Sequence, residues 1–333
     1  MKIRVIGHGG ESRFPFGSSG PWKEFEKTLL ARGHEICTYG FSENADSLVA
    51  NSYNPNIGEY LEKSRIPKSR RILVLWEPYV VETTRYKKEV LSKFGTIFAP
   101  SIEWAEKVDG HPFNWPQDEI LDEDVFIGWN RRINKAVMIQ GNKFSARKGE
   151  LYSLRRKIIV NLGPISLDLF GTNWNKGFNF DWWHWSRSVI NSNFAEISTR
   201  SFFGIGKKYN NYFGVTDDKN KTLSQYKIAV VIENSADFIS EKLFDSIRSG
   251  CVSVYVGPNL EKYGIPKGSA IQVDAKHEVV SSMVRSLLEK SNEELEMIAR
   301  NQRDNLIKVS QDWNNTLVLS KLASDIVDIL EAN

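Results

Sequence analysis

Residues 227–257, KIAVVIENSADFISEKLFDSIRSGCVSVYVG, decide the fold class of this chain. Two apolar runs, 227–232 and 251–257, are rich in valine and isoleucine, which is typical of strands buried on both faces. The stretch between them begins as a polar junction and continues with apolar residues at helical spacing, and Ser240 suits the N-cap of that helix. The order strand, helix, strand predicts one unit of a parallel sheet covered by helices.

The same order is repeated along the whole chain, with helical patterns between the apolar runs. Strands are predicted at 2–6, 34–39, 71–76 and 96–100, and then at 136–140, 168–171, 227–232, 251–257 and 270–274. We therefore predict an α/β protein with two doubly wound, Rossmann-like lobes and a cleft between them.

The expected domains follow from these two series of strands. Residues 1–135 would form the N-terminal lobe and residues 136–312 the C-terminal lobe, while a C-terminal helix at 313–333 would cross back to the first lobe. The aromatic-rich residues 174–220 contain no clear repeat of the pattern and are expected to form an irregular insertion or functional loop.

The composition limits the function classes. The 333 residues include 44 basic and 41 acidic ones, and these are interspersed, so no basic stripe predicts a nucleic-acid partner. No apolar run approaches the roughly 20 residues of a membrane span, and the N-terminus does not resemble a signal peptide. We expect a cytoplasmic protein, with peripheral membrane association left open. Cys37 and Cys251 lie in apolar runs and are expected to be buried thiols.

The polar junction after residue 232 predicts a binding site for an anion. Glu233 and Asn234 follow the strand directly, and Lys242 lies in the first turn of the helix. A cation in that turn adds to the positive end of the helix dipole and is unfavourable in isolation. The conflict disappears if a diphosphate is bound, because it would contact free backbone N–H groups and the ammonium together.

Residues 219–258 also resemble a known family. The pattern Glu-Asn-Ser, a short gap, Phe-Ile-Ser-Glu-Lys, and a glycine before a valine-rich strand is similar to the donor-binding core of the family 10 glycosyltransferases, the fucosyltransferases that act on glycans, especially their bacterial members. The similarity is continuous over these residues and extends more weakly to Arg147 and Glu77. It implies a two-lobed fold of the glycosyltransferase B type and inverting transfer from a GDP-linked sugar, without a metal or other cofactor.

The resemblance also implies roles for individual donor-site residues. Lys242 would contact the donor diphosphate and Glu241 the ribose or sugar, with Asn234 nearby. Phe238 stands where the family has a tyrosine and therefore lacks a hydroxyl that could contact the nucleotide. Arg147 matches an arginine that approaches the phosphates.

The resemblance assigns the catalytic base to Glu77, at the end of a strand in the first lobe. Pro78 follows it where the family usually has asparagine, which is a second departure from the pattern. A carboxylate that removes the proton of the acceptor hydroxyl, together with two cations that hold the leaving diphosphate, meets the physical requirements of such a transfer.

Other residues are candidates for the acceptor side. Trp182, Trp183 and Trp185 have flat faces that suit stacking on a sugar, and packing within the insertion is the alternative. His8 is a candidate acceptor contact or a local hydrogen-bonding residue. The tripeptide Asp-Glu-Asp at 122–124 reads as an exposed acidic loop rather than a metal site. Two rival functions stay open: transfer from another nucleotide sugar, and nucleotide-sugar binding without turnover.

Overall fold

The computed structural model of the chain describes residues 1–6, 22–37, 44–51, 53, 55–120, 124–190 and 197–333. Its strands are β1 (Lys2–Ile6), β2 (Glu35–Cys37), β3 (Ser47–Ala50), β4 (Arg71–Val74), β5 (Thr96–Ala99), β6 (His111–Pro112), β7 (Ile133–Ile139), β8 (Leu167–Phe170), β9 (Tyr226–Ile232), β10 (Val252–Val256) and β11 (Ile271–Gln272). Its α-helices are α1 (Trp22–Ala31), α2 (Pro55–Lys63), α3 (Lys88–Leu91), α4 (Ile102–Lys107), α5 (Tyr152–Ser166), α6 (Phe178–Ile190), α7 (Lys219–Leu223), α8 (Glu241–Arg248), α9 (His277–Leu288), α10 (Asn292–Ile307) and α11 (Asn315–Ala332).

The chain divides into two compact units. The first combines Met1–Glu119 with Gln311–Asn333, and the second is Ile120–Ser310. This boundary precedes the expected one at residue 135, because Phe126 and Trp129 pack in the core of the second unit. The indole of Trp129 also donates a hydrogen bond of 2.8 Å to the carbonyl of Gly250, which ties this connection to the second unit.

The first unit contains a six-stranded parallel sheet in the order β2-β1-β3-β4-β5-β6. One side of its core joins Phe25 of α1 to Leu319, Leu322 and Ile326 of α11. The C-terminal helix therefore contributes to the core of the unit that also contains the N-terminus. Arg32, at the end of α1, binds Asp328 and Glu331 of α11 at 2.7 Å each.

The second unit contains a five-stranded parallel sheet in the order β11-β10-β9-β7-β8. Counted from the first strand of each unit, both sheets share the order 2-1-3-4-5, and the first sheet adds β6 at its edge. The direction of winding reverses between β1 and β3 in one unit and between β7 and β9 in the other. Sheets of this kind bind ligands beyond the carboxyl ends of the strands at such a switch point.

The predicted α/β fold with two parallel sheets is confirmed, although several elements differ from expectation. The short strand β3 and the helix α2 do not stand out in the sequence. Residues 174–220 are not simply irregular, because Phe178–Ile190 form the 13-residue helix α6. Cys37 and Cys251 are free and buried, as expected. Within the part of the chain that the structure describes, no helix is long and apolar enough to cross a membrane.

Candidate functional site

The candidate site of the second unit lies on two loops that follow the switch-point strands β7 and β9. The amide of Leu151 donates to the carbonyl of Asn234 at 3.1 Å, and the amide of Ala236 donates to the carbonyl of Gly149 at 3.3 Å. Residues 150 and 235 also pair as an isolated antiparallel bridge. The two loops therefore form one surface at the carboxyl edge of the sheet.

A buried glutamate organises the start of α8. Glu233 is fully buried, and its carboxylate accepts hydrogen bonds from the amide of Ser240 at 3.0 Å and from its hydroxyl at 2.6 Å. Burial raises the pKa of Glu233, against the opposing effects of Lys242 and Ser240. The predicted N-cap is confirmed, because the Ser240 side chain accepts a long hydrogen bond of 3.5 Å from the amide of Lys242.

The same hydroxyl fixes the side chain of Lys242. Its Nζ lies 2.7 Å from Ser240 Oγ, 3.7 Å from Glu233 Oε2 and 3.9 Å from Glu241 Oε1. The side chain is only 15% exposed, so the ammonium is held at the first turn of the helix rather than extended into solvent. A fixed cation next to the helix N-terminus is the arrangement that favours a bound anion.

Glu241 is the more exposed acid of this helix end. Burial acts to raise its pKa, but Lys242, Lys219 and its own backbone N–H outweigh that effect and lower the pKa to about 2. Lys219 lies 3.6 Å from Glu241 and 3.2 Å from Asp245, and so links the two acids of α8. Glu241 is thus a permanent anion that is suited to accept hydrogen bonds from hydroxyl groups.

Arg155 is a residue of this region that sequence reasoning missed. Its guanidinium is buried and donates from one nitrogen to the carbonyls of Ile232 and Glu233 and to the side-chain oxygen of Asn234, at 2.7, 2.8 and 2.9 Å. Burial lowers the pKa of Arg155. The predicted ligand contact Asn234 therefore uses its side-chain oxygen to shape the loop. The sequence gives no signal of this role, because Arg155 is the first of three consecutive basic residues at 155–157 and its partners lie more than 70 positions away.

Arg147 and Phe238 lie on the same pair of loops and are also buried. Nη1 of Arg147 lies 3.4 Å from the hydroxyl of Ser188 on α6, which in turn accepts a 2.7 Å hydrogen bond from the amide of Ala146. Phe238 is 1% exposed and packs beneath the loop that precedes α8. The structure thus places Arg147, Asn234 and Phe238 on two hydrogen-bonded loops and Glu241 and Lys242 in the first turn of the adjoining helix α8, with Glu241 the most accessible of the five.

Two cavities open at this edge of the sheet. One of about 700 Å³ lies at the ends of β10 and β11, beside Gly257, Asn259 and Gln272. The other, of about 750 Å³, lies at the starts of α5 and α9 and is lined by basic residues, including Lys148 and Lys276. Leu151, Ala236 and Ala275 line both cavities, so the two are adjacent. Their volumes fall in the range of sites for small molecules.

The candidate base lies in the first unit, directly beyond β4. Glu77 is partly buried, and its backbone carbonyl accepts a 2.7 Å hydrogen bond from the hydroxyl of Tyr86. Arg85, which is buried and paired with Glu82 at 2.8 Å, is close enough to interact electrostatically with Glu77. Burial lowers the pKa of Arg85, and these carboxylates oppose that shift.

The predicted acceptor residues have different outcomes. Trp182 and Trp183 are 42% and 52% exposed on α6, whereas the indole of Trp185 donates a 2.8 Å hydrogen bond to Ser201. His8 and the first two residues of the acidic tripeptide at 122–124 lie outside the described residues. Among the residues that are described, no group of histidine, cysteine, aspartate and glutamate is arranged to hold a metal ion.

Several solved structures are similar in fold to this chain. Anabaena HepE in complex with UDP-glucose matches all of this chain and all of its own, with 11% identity and a TM-score of 0.55. An α1,3-fucosyltransferase matches 99% of this chain and 90% of its own, with 14% identity and a TM-score of 0.54. The fold is that of the two-lobed B-type glycosyltransferases. A glycosyltransferase from Rickettsia africae, 12% identical with a TM-score of 0.52, covers 100% of this chain and 99% of its own. No family model matches the chain, and no curated protein matches it in sequence.

Proposed function

We propose that this protein is an inverting glycosyltransferase that transfers fucose from GDP-fucose to a hydroxyl of a glycan acceptor. The observation that carries the proposal is the fixed position of Lys242, held by Glu233 and Ser240 at the start of α8, on the surface formed by the two switch-point loops. The fold, which is shared with an α1,3-fucosyltransferase, and the resemblance of residues 219–258 to family 10 support the same reaction.

In this proposal the second unit binds the donor. The diphosphate lies against the N-terminal amides of α8 and the ammonium of Lys242, with Arg147 on the neighbouring loop as the second cation. Glu241 accepts hydrogen bonds from ribose or sugar hydroxyls. The cavity of about 700 Å³ has the size needed for a nucleoside, and Ala236 of the loop after β9 lies in its lining, whereas none of the five predicted donor-site residues does. Both cations stabilise the charge that develops on the leaving group.

The first unit supplies the base. Glu77 removes the proton of the acceptor hydroxyl as that oxygen attacks the anomeric carbon, a role that contributes roughly 10²–10⁴ in rate. The donor sugar is the only small molecule that the reaction requires besides the acceptor, and no metal is part of the proposal. We propose a cytoplasmic location and no nucleic-acid substrate.

A different nucleotide-sugar donor is the second candidate, and a nucleotide-sugar-binding protein without turnover is the third. The HepE structure contains UDP-glucose, which shows that this fold accommodates a uridine donor in that protein. In this chain Phe238 and Pro78 depart from the family 10 pattern. These two departures are the reason for considering a donor other than GDP-fucose. These departures favour testing several nucleotides side by side.

The test is calorimetric titration with GDP, UDP, CDP and ADP, using the intact chain and the variants Lys242→Ala and Lys221→Ala. Lys221 is an exposed lysine of α7 and serves as the matched control. We expect selective binding of GDP, weakened about tenfold or more by Lys242→Ala because one charge-assisted contact is lost, and unchanged in the control. Preference for UDP would favour the second candidate. Absence of binding to every nucleotide would contradict both transferase proposals.

A further inference from the structure

Helix α6 buries polar residues, unlike an ordinary amphipathic helix at a protein surface. Such helices turn an apolar stripe toward the core and polar residues toward water. The buried residues of α6 are instead Asp181 and Ser188, two polar side chains seven positions apart. Asp181 accepts a hydrogen bond from the amide of Gly206 at 2.9 Å, and Ser188 binds the loop of Arg147. Polar contacts attach this helix to the second unit, and Phe178, Trp182 and Trp183 are exposed at its surface.

The rings of Phe178, Trp182 and Trp185 of α6 and of Phe202 lie in contact, and Trp183 is the exposed neighbour of Trp182 in the helix; we call these five residues the aromatic patch. The rings of Phe178 and Trp182 stack with centroids 6.0 Å apart, Trp182 and Trp185 lie 5.4 Å apart, and Phe202 packs edge-on against both tryptophans. Phe178 is 54% and Phe202 47% exposed. Exposed apolar surface of this extent on a protein is typical of an interaction site.

Most charged residues in the described segments that carry the aromatic patch are basic. Residues 172–190 and 197–210 contain five exposed basic residues, and Asp181, the single acid in these two ranges, is buried. Arg187 lies over the ring of Trp183, 5.2 Å from its centroid. The exposed basic residues are Lys176, Arg187, Arg200, Lys207 and Lys208.

We propose that the aromatic patch and its basic surround form a docking surface for an anionic lipid bilayer. Tryptophan prefers the membrane interface, where its ring is apolar and its N–H remains hydrated. Lysine and arginine near the surface are attracted by anionic headgroups, and the attraction strengthens binding about fivefold for each residue. A neutral glycan would use the aromatic faces but gives no reason for the five exposed cations in the described residues of 172–190 and 197–210.

Docking through this surface would act on the donor loop directly. Ser188 bonds to the loop of Arg147 and is a buried residue of the same helix that carries the exposed Trp182. The bilayer would thus contact an element that supports the candidate donor site. The inference itself does not depend on the proposed reaction, because lipid binding can be measured without substrate.

The test is co-sedimentation of the full chain with vesicles of phosphatidylcholine alone and of phosphatidylcholine with one quarter phosphatidylglycerol. We expect binding to the anionic vesicles that falls with added salt, since exposed charges are screened. Lys207→Glu with Lys208→Glu should weaken it at least tenfold, and Trp182→Ser with Trp183→Ser should do the same. Matched controls are Lys87→Glu with Lys88→Glu, two adjacent exposed lysines of the first unit, and Phe213→Ser, an exposed aromatic residue outside the aromatic patch.

Three results would overturn the inference. The first is no binding of the wild-type chain to anionic vesicles, and the second is equal binding to neutral vesicles. The third is binding that the patch variants leave unchanged while a glycan acceptor loses affinity, which would assign the tryptophans to the acceptor. Melting curves with and without GDP show whether each variant still folds. If the double serine variant does not fold, Trp182→Phe is used in its place.

Discussion

Two glutamates end two strands of this protein, and their surroundings differ. Glu233, beyond β9, is fully buried and accepts two hydrogen bonds from Ser240, with Lys242 nearby. Glu77, beyond β4, keeps its side chain partly exposed and is fixed through its backbone by Tyr86. The comparison shows that two glutamates beyond the ends of parallel strands differ in burial: Glu233 is fully buried and holds a loop and a lysine in place, whereas Glu77 is only partly buried.

The largest expected effect is on turnover, from Glu77→Gln. Under the proposed function this change removes the base but preserves shape, so the rate of transfer should fall by about 10²–10⁴. The affinity for GDP should stay the same, because Glu77 and the predicted donor residues belong to different units. Steady-state transfer assays and GDP titration measure the two quantities. A variant with normal turnover would remove Glu77 from the role of base.

The next effect is on stability, from Glu233→Ala. The change leaves the Ser240 hydrogen-bond donors and Lys242 without their buried partner, which costs about 3–5 kcal/mol in the free energy of unfolding. Urea denaturation provides the measurement. Glu77→Ala is the paired control and should cost less than about 1 kcal/mol, as partly exposed positions usually do. Equal costs at the two positions would contradict the distinction between them.

A smaller effect is expected from removing the hydroxyl of either of two tyrosines, which bond to the loop after β4 and to the loop after β9. Tyr86 donates to the carbonyl of Glu77 at 2.7 Å, and Tyr263 donates to the carbonyl of Asp237 at 3.0 Å. Tyr86→Phe and Tyr263→Phe should each cost about 1 kcal/mol, the usual net value of such a bond. We expect turnover to change with the first and GDP affinity with the second. The reverse pattern in kinetic and titration data would count against the assignment of the loops.

The smallest effect is a pH dependence at the start of α8, because the side chain of Glu241 is 43% exposed and solvent screens its pairs with Lys219 and Lys242. The pKa of Glu241 is about 2 in the folded chain and roughly 4.3 in an unfolded one, so its ionised form stabilises the fold above that unfolded value. The contribution is lost as the pH falls from about 4.3 toward 2. Glu241→Gln should therefore reduce stability at pH 5 and make no difference near pH 2. Midpoints of urea denaturation across this pH range test the sign of the change in stability. A carboxylate with a raised pKa, such as Glu233, would instead lower the stability as the pH rises.

Part of the candidate site was predictable from local sequence. Ser240 was expected to cap α8 and does so, because capping depends on residues within one turn. Lys242 was expected at the first turn for the same reason. The contacts of Ser240 and Glu233 with the ammonium of Lys242 were not foreseen, because they depend on how these three side chains pack together. Arg155, more than 70 positions before the carbonyls it binds, gave no local signal.

The sequence by itself determined the α/β class, the two series of parallel strands and the polar junction at 233–242, because periodicity and capping act over a few residues. Only the tertiary structure decided where the units divide, how the loops after β7 and β9 bond to each other, and why α6 turns its aromatic residues outward. These features depend on contacts between residues distant in the chain. Burial in the folded chain also distinguishes Glu233, which is fully buried and holds Ser240 and Lys242 in place, from Glu241, whose side chain is 43% exposed.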